Sequence, residues 1–187
     1  MKVTFITGNQ HKADLLAKFL GYPLGHHKLD LDEIQSLSLQ KIAEHKARQA
    51  YGIIKSPVLV EDISFSISDL GKLPGPFIKW FINELDFEGL CRLADRDPER
   101  KAITSVCFAY FDGTRLQFFE GELKGRMPQH PKGDDGFGWN CVFIPEGQDK
   151  TNAEMTDEEM ELFSLRTTTV YPQIKLFLEE LVQTDWA

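Results

Sequence analysis

Residues 1–21, MKVTFITGNQHKADLLAKFLG, decide the fold class. Lys2–Thr7 reads as a short buried strand, the chain turns at Gly8-Asn9, and Leu15, Leu16, Phe19 and Leu20 then fall on one face of a helix. A strand that passes straight into a helix opens an α/β unit. Such a turn can aim the unpaired N–H groups of the first helical turn at an anion, and Lys12 lies one turn in as a mobile positive charge. Gly and Asn also occupy strand-to-helix turns simply because they tolerate unusual backbone angles. Which reading holds has to come from the rest of the chain.

Working outward, residues 22–31 suit a second extended segment. From Ser38 to Ile54 the positions Leu39, Ile42, Ala43, Ala47, Ala50 and Ile54 recur with helical period, with Ser38 as N-cap. Pro57–Val60 and Ile63–Leu70 read as strands interrupted by Glu61-Asp62, and Gly71–Pro76 ends them before a helix from Phe77 to Leu85. Ile103–Phe111 and Arg115–Gly121 flank Asp112-Gly113, a pair suited to a two-residue type I′ hairpin turn. After a Gly-rich loop at 133–138, Cys141–Ile144 reads as a short strand and Asp157–Phe163 as a short helix. Ile174, Phe177, Leu178, Leu181 and Val182 mark a terminal amphipathic helix. Strands and helices alternate and the hairpin is antiparallel, so the expectation is an α/β fold with a mixed sheet. No repeat or linker divides the chain, and one domain over residues 1–187 is expected.

The 187 residues suffice for a substantial core without disulfides. The three cysteines, Cys91, Cys107 and Cys141, are odd in number and lack CxxC spacing, which argues against both a zinc site and a disulfide scaffold. A reducing, cytoplasmic location is expected, since the apolar stretch at the amino terminus is too short for a signal peptide or a membrane span. With 29 acidic and 21 basic side chains the net charge is -8, which disfavours a general nucleic-acid surface. A small polyanion can still bind through a few converging cations, backbone amides and a divalent cation held by carboxylates.

Four further stretches carry chemistry. Glu61 and Asp62 follow a buried-strand run, where carboxylates can hold a metal, orient water or simply be solvated. Lys79 sits on a helix after Pro74-Gly75-Pro76, a position usually just solvated. Phe137 and Trp139 flank Gly138 in GFGWN (136–140), where aromatic faces can stack on a planar base or pack into the core. In Ser164-Leu165-Arg166 a hydroxyl and a guanidinium can read oxygen acceptors or serve as an N-cap and a surface cation.

In combination, the order TGNQHK (7–12), VED (60–62), LPGPFIKWF (73–81), GFGWN, FIPEG (143–147), AEM (153–155) and SLR (164–166) resembles the inosine triphosphate pyrophosphatase family, from Thr7 to about Arg166. That resemblance implies an elongated, two-lobed α/β fold around a long mixed β-sheet with flanking helices and a central substrate cleft, usually as a homodimer. It implies hydrolysis of non-standard purine nucleoside triphosphates to monophosphate and pyrophosphate with Mg²⁺, Mn²⁺ being a substitute. Residue by residue, it assigns Thr7, Gly8, Asn9 and Lys12 to phosphate binding and Glu33 and Asp62 to the metal, with Asp62 also activating water. Lys79 falls to a phosphate, and Phe137, Gly138, Trp139 and Asn140 to base stacking. Ser164, Leu165 and Arg166, with Met160 and Ile63, occupy substrate-contact positions.

Several positions depart from the family pattern: Asn140 stands for Asp, Met160 for Lys, Leu165 for His and Ile63 for Ser or Thr. An ionised Asp only accepts hydrogen bonds, whereas Asn both donates and accepts, so base discrimination is expected to change while the phosphate chemistry is retained. The expected function is therefore a Mg²⁺-dependent nucleoside triphosphate pyrophosphatase with an altered base preference. The alternative is a catalytically weakened nucleotide-binding sensor or regulatory module on the same fold. Neither nucleic acid nor membrane is an expected partner.

Overall fold

The computed structural model describes residues 3–21, 24–134 and 138–184. Its element order is β1 (Thr4–Ile6), α1 (Gln10–Leu20), β2 (Gly25–His27), α2 (Leu39–Ile54), β3 (Val58–Ile67), β4 (Pro74–Gly75), α3 (Ile78–Arg92), β5 (Lys101–Phe111), β6 (Leu116–Arg126), β7 (Ile144–Pro145), α4 (Asp157–Phe163) and α5 (Tyr171–Thr184). The seven-stranded sheet runs β2-β1-β3-β5-β6-β7, with β4 paired to β3. β1 is parallel to both β2 and β3, whereas β4 on β3 and β7 on β6 are antiparallel, so the sheet is mixed as expected.

The chain packs into two compact units. The first takes residues 1–62, 106–121 and 166–187, and the second takes 63–105 and 122–165. In the first, Ala43, Ala47 and Ala50 of α2 lie on Ile6, Val58, Val60, Cys107 and Ala109 from β1, β3 and β5. Small alanines let the helix backbone approach the sheet closely. Phe5 and Phe108, the latter edge-on to Tyr171 of α5, which meets Phe19 of α1, build a separate aromatic layer. In the second unit, Phe65, Ile67, Ile78, Leu90 and Phe143 form the centre of the core.

Several boundaries differ from the sequence reading. β3 runs without a break from Val58 to Ile67, straight through Glu61-Asp62, because both side chains find charged partners and the strand need not end to solvate them. α3 continues past Leu85 to Arg92. Asp86 breaks it with φ 55° and ψ -175°, and its Oδ1 accepts from the Gly89 N–H at 2.8 Å, capping the second half. The hairpin loop spans residues 112–115 rather than two residues. Asp112 Oδ1 accepts from the N–H groups of Thr114 and Arg115 at 2.9 and 2.7 Å, which removes those donors from the strand ladder. In place of a strand over Cys141–Ile144 the chain makes a 3₁₀ turn at Asn140–Val142 and a two-residue strand, Ile144–Pro145.

β7 is short but closely fitted. Gly125 of β6 faces Pro145, and a Cβ there would strike the Ile144 carbonyl and lie 2.6 Å from Phe143 Cζ. Gly125→Ala is therefore expected to cost about 2 kcal/mol by overpacking. A melting curve should show Tm lower by roughly 4–8 °C, and an unchanged Tm would mean that β7 gives way freely.

Candidate active site

The turn after β1 is organised around Asn9. Asn9 is the N-cap of α1, its Oδ1 accepting from the Lys12 N–H at 3.3 Å, while the Asn9 N–H donates to Thr7 Oγ1 at 3.1 Å. Gly8 does not have the left-handed backbone, so this glycine is not required by a strained turn. Thr7 is fixed from the other side, its N–H donating to the His27 carbonyl at 3.0 Å.

Lys12 reaches back to β3. Its Nζ donates to Glu61 Oε2 at 2.6 Å, and Arg166 Nε donates to the other oxygen, Oε1, at 2.5 Å. The Glu61 side chain is 3% exposed, against 19% for Lys12 and 28% for Arg166, so the carboxylate lies beneath two cations that retain access to solvent. Burial pushes the Glu61 pKa up, but the Arg166 and Lys12 charges and their hydrogen bonds together hold it below the usual carboxylate range. Arg166 opens a π turn, Arg166–Val170, that leads into α5.

Asp62, the next residue, belongs to a different cluster. Side chains alternate across a strand, so Glu61 and Asp62 leave β3 on opposite faces, Glu61 toward Lys12 and Asp62 toward α2. Lys46 of α2 lies 2.9 Å from Asp62 Oδ2 and donates to Glu33 Oε1 at 3.0 Å. The approach to Asp62 is an ion pair without hydrogen-bond geometry, which leaves Oδ2 buried with no donor. Burial raises the Asp62 pKa, Lys46 opposes the rise, and the charges of Glu33 and Glu61 add to it; the net direction is up. Lys46 is pulled down by burial but raised more by Asp62 and Glu33. One ammonium serves two carboxylates, while Asp62 shares the Lys46 cation with Glu33 and faces the like charges of Glu33 and Glu61.

Among the described residues, no three His, Cys, Asp or Glu side chains gather around one point. Glu33 and Asp62 nonetheless fit a hard divalent cation. Both are oxygen donors already drawn to one positive charge, and Asp62 Oδ2 is a buried acceptor without a donor. Mg²⁺ is commonly held by one or two carboxylates, with waters and substrate phosphates completing its shell.

The remaining candidates lie in the second unit. Lys79 is exposed on the first turn of α3, with no ion pair among the described residues. Trp139 is half-buried and packs edge-on against Phe65 at 5.6 Å between centroids, so part of its ring serves the core. Asn140 Nδ2 lies 3.9 Å from Met160 Sδ, which makes neighbours of two positions that depart from the family pattern. Ile63 is half-buried on β3, Gly138 has φ 61°, and Ser164 closes α4 with Leu165 half-buried behind it. Phe137 lies outside the described residues.

Sequence reasoning weighed Glu61 only together with Asp62, as a metal-holding, water-orienting or solvated carboxylate, did not foresee its pairing with Lys12 and Arg166, and missed Lys46 altogether. A signal for Lys46 existed: it sits beside the alanine stripe Ala43, Ala47, Ala50, where a helix lies close against its sheet.

Fold and side chains together define the class: a mixed-sheet α/β protein with two carboxylates sharing one lysine and a buried carboxylate gripped by two cations. Comparison with known sequences then gives the family. The Ham1 family profile matches residues 3–172, and the chain belongs to that family. It is 44% identical over 169 residues to inosine triphosphate pyrophosphatase 2 of Trypanosoma cruzi, covering 88% of this chain and 86% of the relative. It is 37% identical over 171 residues to the dITP/XTP pyrophosphatase of Methanopyrus kandleri, covering 89% and 91%. The solved structure of the Staphylococcus aureus Ham1 protein superposes with a TM-score of 0.83 at 21% identity over 96% of this chain and 99% of that one, a likeness of fold.

Proposed function

We propose that this protein hydrolyses non-standard purine nucleoside triphosphates, inosine and xanthosine triphosphates among them, to the monophosphate and pyrophosphate. The observation that carries the chemistry is the convergence of the Glu33 and Asp62 carboxylates on one ammonium, Lys46 Nζ, which brings two hard oxygen donors together. The purine class rests on relatives named for inosine and xanthosine triphosphates at 44% and 37% identity, and within that class Asn140, Met160 and Leu165 alter the order of preference among bases. The binding-module alternative is not favoured, because those relatives carry the names of enzymes.

On this reading Glu33 and Asp62 hold Mg²⁺, with Mn²⁺ as a substitute. Bound there, the metal would offset phosphate charge and lower the pKa of a coordinated water. Asp62 orients the attacking water and accepts its proton as the oxygen closes on the α-phosphorus. Lys12 and the capped turn Thr7–Asn9 bind phosphate oxygens, Lys79 supplies a further ammonium, and the Arg166 guanidinium reads an oxygen acceptor of the base. Water attack breaks the α–β anhydride bond, and pyrophosphate departs. Trp139, Asn140, Met160, Ser164, Leu165 and Ile63 are the proposed base-side contacts, with Phe137 assigned by resemblance.

We also propose a cytoplasmic homodimer that uses neither nucleic acid nor membrane. Among the described residues, no helix is long and apolar enough to cross a membrane.

A substrate panel tests the function. With Mg²⁺, inosine, deoxyinosine and xanthosine triphosphates should release pyrophosphate at least tenfold faster than adenosine or guanosine triphosphate, the scale of one hydrogen-bond difference in a pocket. Equal rates across all five would remove the purine-selective part of the proposal, and no release from any would remove the enzyme.

A further inference from the structure

The turn Asn152–Glu154 shares residues with the AEM motif of the sequence, yet the hydrolysis just outlined gives it no part. Resting on the reading that Trp139 and Asn140 are base-side contacts, we propose that Thr151 is a positioning residue. With this turn it clamps the neck of the loop that carries those two side chains, and so sets affinity for the base half of the nucleotide.

Both legs of that loop meet the clamp. The chain leaves at Lys132 and returns at Cys141, and the Lys132 N–H donates to the Cys141 carbonyl at 2.9 Å, which closes the neck. Thr151 is fully buried, with its hydroxyl oxygen 2.9 Å from the Lys132 carbonyl and 3.1 Å from Glu154 Oε2. Both neighbours are acceptors, so the one hydroxyl proton is shared between them. The Thr151 N–H donates to the same Glu154 oxygen at 2.8 Å, and the Asn152 N–H donates to the Phe143 carbonyl, on the returning leg, at 3.0 Å. Gly133, next to Lys132, has φ 85°, and a Cβ there would lie 2.5 Å from the Ala153 backbone.

The two legs are held by different means. The returning leg has core packing: Cys141, Val142 and Phe143 are buried, and Trp139 stands against Phe65. Residues 132–134 are exposed, so the leaving leg depends on the Lys132 backbone and on the close approach of Gly133 to Ala153. A hydroxyl that served the turn alone would need only Glu154; this one also reaches out of the turn to the loop. Removing it takes a donor from the Lys132 carbonyl and loosens the loop on one side while the core stays in place. The proposed phosphate contacts, Thr7–Asn9, Lys12 and Lys79, lie outside the clamp, so the loss should fall on the base half of the substrate.

The test uses the full chain with inosine triphosphate, inosine monophosphate and inorganic tripolyphosphate as probes. For Thr151→Val, which keeps the shape and loses the hydroxyl, we expect KM for inosine triphosphate higher by about tenfold and kcat within about threefold. The monophosphate should bind about tenfold more weakly, with tripolyphosphate affinity within about twofold of the parent. Thr151→Ser keeps the hydroxyl and loses a buried methyl, so its Tm should fall while KM stays within about twofold. A Thr151 that served stability alone would move KM with Tm in both variants. Parental KM and monophosphate affinity in Thr151→Val overturn the inference, and so does an equal loss of tripolyphosphate affinity. Should Thr151→Val fail to fold, Gly133→Ala, which forces the exposed leg off Ala153, replaces it, and a parental KM there overturns the inference. If the parent cleaves no nucleotide, the hydrolytic reading falls and calorimetric binding of the monophosphate decides: weaker binding by Thr151→Val supports the clamp, and equal binding, or a parent that binds no monophosphate, overturns it.

Discussion

Asp62→Asn is expected to reduce kcat for inosine triphosphate by about 10³-fold while making the protein, in the absence of divalent cations, more stable than its parent. The rate loss follows from removing the proposed proton acceptor and one of the two oxygen ligands proposed for Mg²⁺, while leaving the shape of the side chain intact. The stability gain follows from linkage. Burial, against the opposing charge of Lys46 and aided by Glu33 and Glu61, raises the Asp62 pKa above its unfolded value. A carboxyl raised in this way contributes stability that is full below its unfolded pKa and lost as pH rises through the folded one. At neutral pH the ionised Asp62 is thus a net cost that the neutral amide removes, and the Tm of the variant should lie above that of its parent. The gap between variant and parent should close as pH falls below the ordinary carboxylate range. Added Mg²⁺ should raise the Tm of the parent and not that of Asp62→Asn, because ligand binding to the native state alone stabilises it. An Asp62→Asn protein with parental kcat would contradict the assignment of Asp62, and an equal response of both Tm values to Mg²⁺ would contradict its role as a ligand.

Lys12→Met should lower kcat/KM by about 10²- to 10³-fold, the range seen when one preorganised charge contact to a transition state is removed. Methionine keeps the length and apolar stem of lysine but not its charge. One of the two cations on Glu61 then disappears, leaving Arg166 alone against the carboxylate. Tripolyphosphate should bind more weakly, because an ammonium that contacts phosphate is lost. Stability should fall as well. The Glu61 pKa is held down in the fold despite its burial, because Arg166 and Lys12 outweigh desolvation. A depressed carboxyl contributes stability above its unfolded pKa and loses it as pH falls through the folded value. The deficit of Lys12→Met in Tm should accordingly be present at neutral pH and shrink in acid. Steady-state kinetics and a pH series of melting curves check both halves; kcat/KM within twofold of the parent would remove Lys12 from the phosphate site.

Features set by neighbours along the chain were legible in the sequence. Ser38 caps α2 as read, with its Oγ accepting from the Lys41 N–H, because an N-cap needs only a residue three positions on. α4 spans Asp157–Phe163 as read, opened by a capping box of Thr156 and Glu159. The features that escaped depend on partners far along the chain. Glu61-Asp62 read as a paired acidic break, but an ion pair reaching 49 residues back to Lys12 and another reaching 105 residues on to Arg166 let the strand continue. Once β3 is continuous, alternation separates the two carboxylates onto opposite faces and gives them different work. Lys46 drew no reading from the sequence, since nothing local shows that Asp62 and Glu33 lie across from it. The loop at residues 112–115 escaped for a related reason, in that the Asp112 side chain competes with the backbone for its amides.

The most direct measurement of the central claim is the product ratio. Inosine triphosphate incubated with the protein and Mg²⁺, followed by ³¹P NMR with Asp62→Asn as control, should yield inosine monophosphate and pyrophosphate in equal amounts, with no diphosphate intermediate and no early orthophosphate. Orthophosphate with inosine diphosphate would place the cut at the γ-phosphorus and contradict the account, as would equal product formation by the Asp62→Asn control.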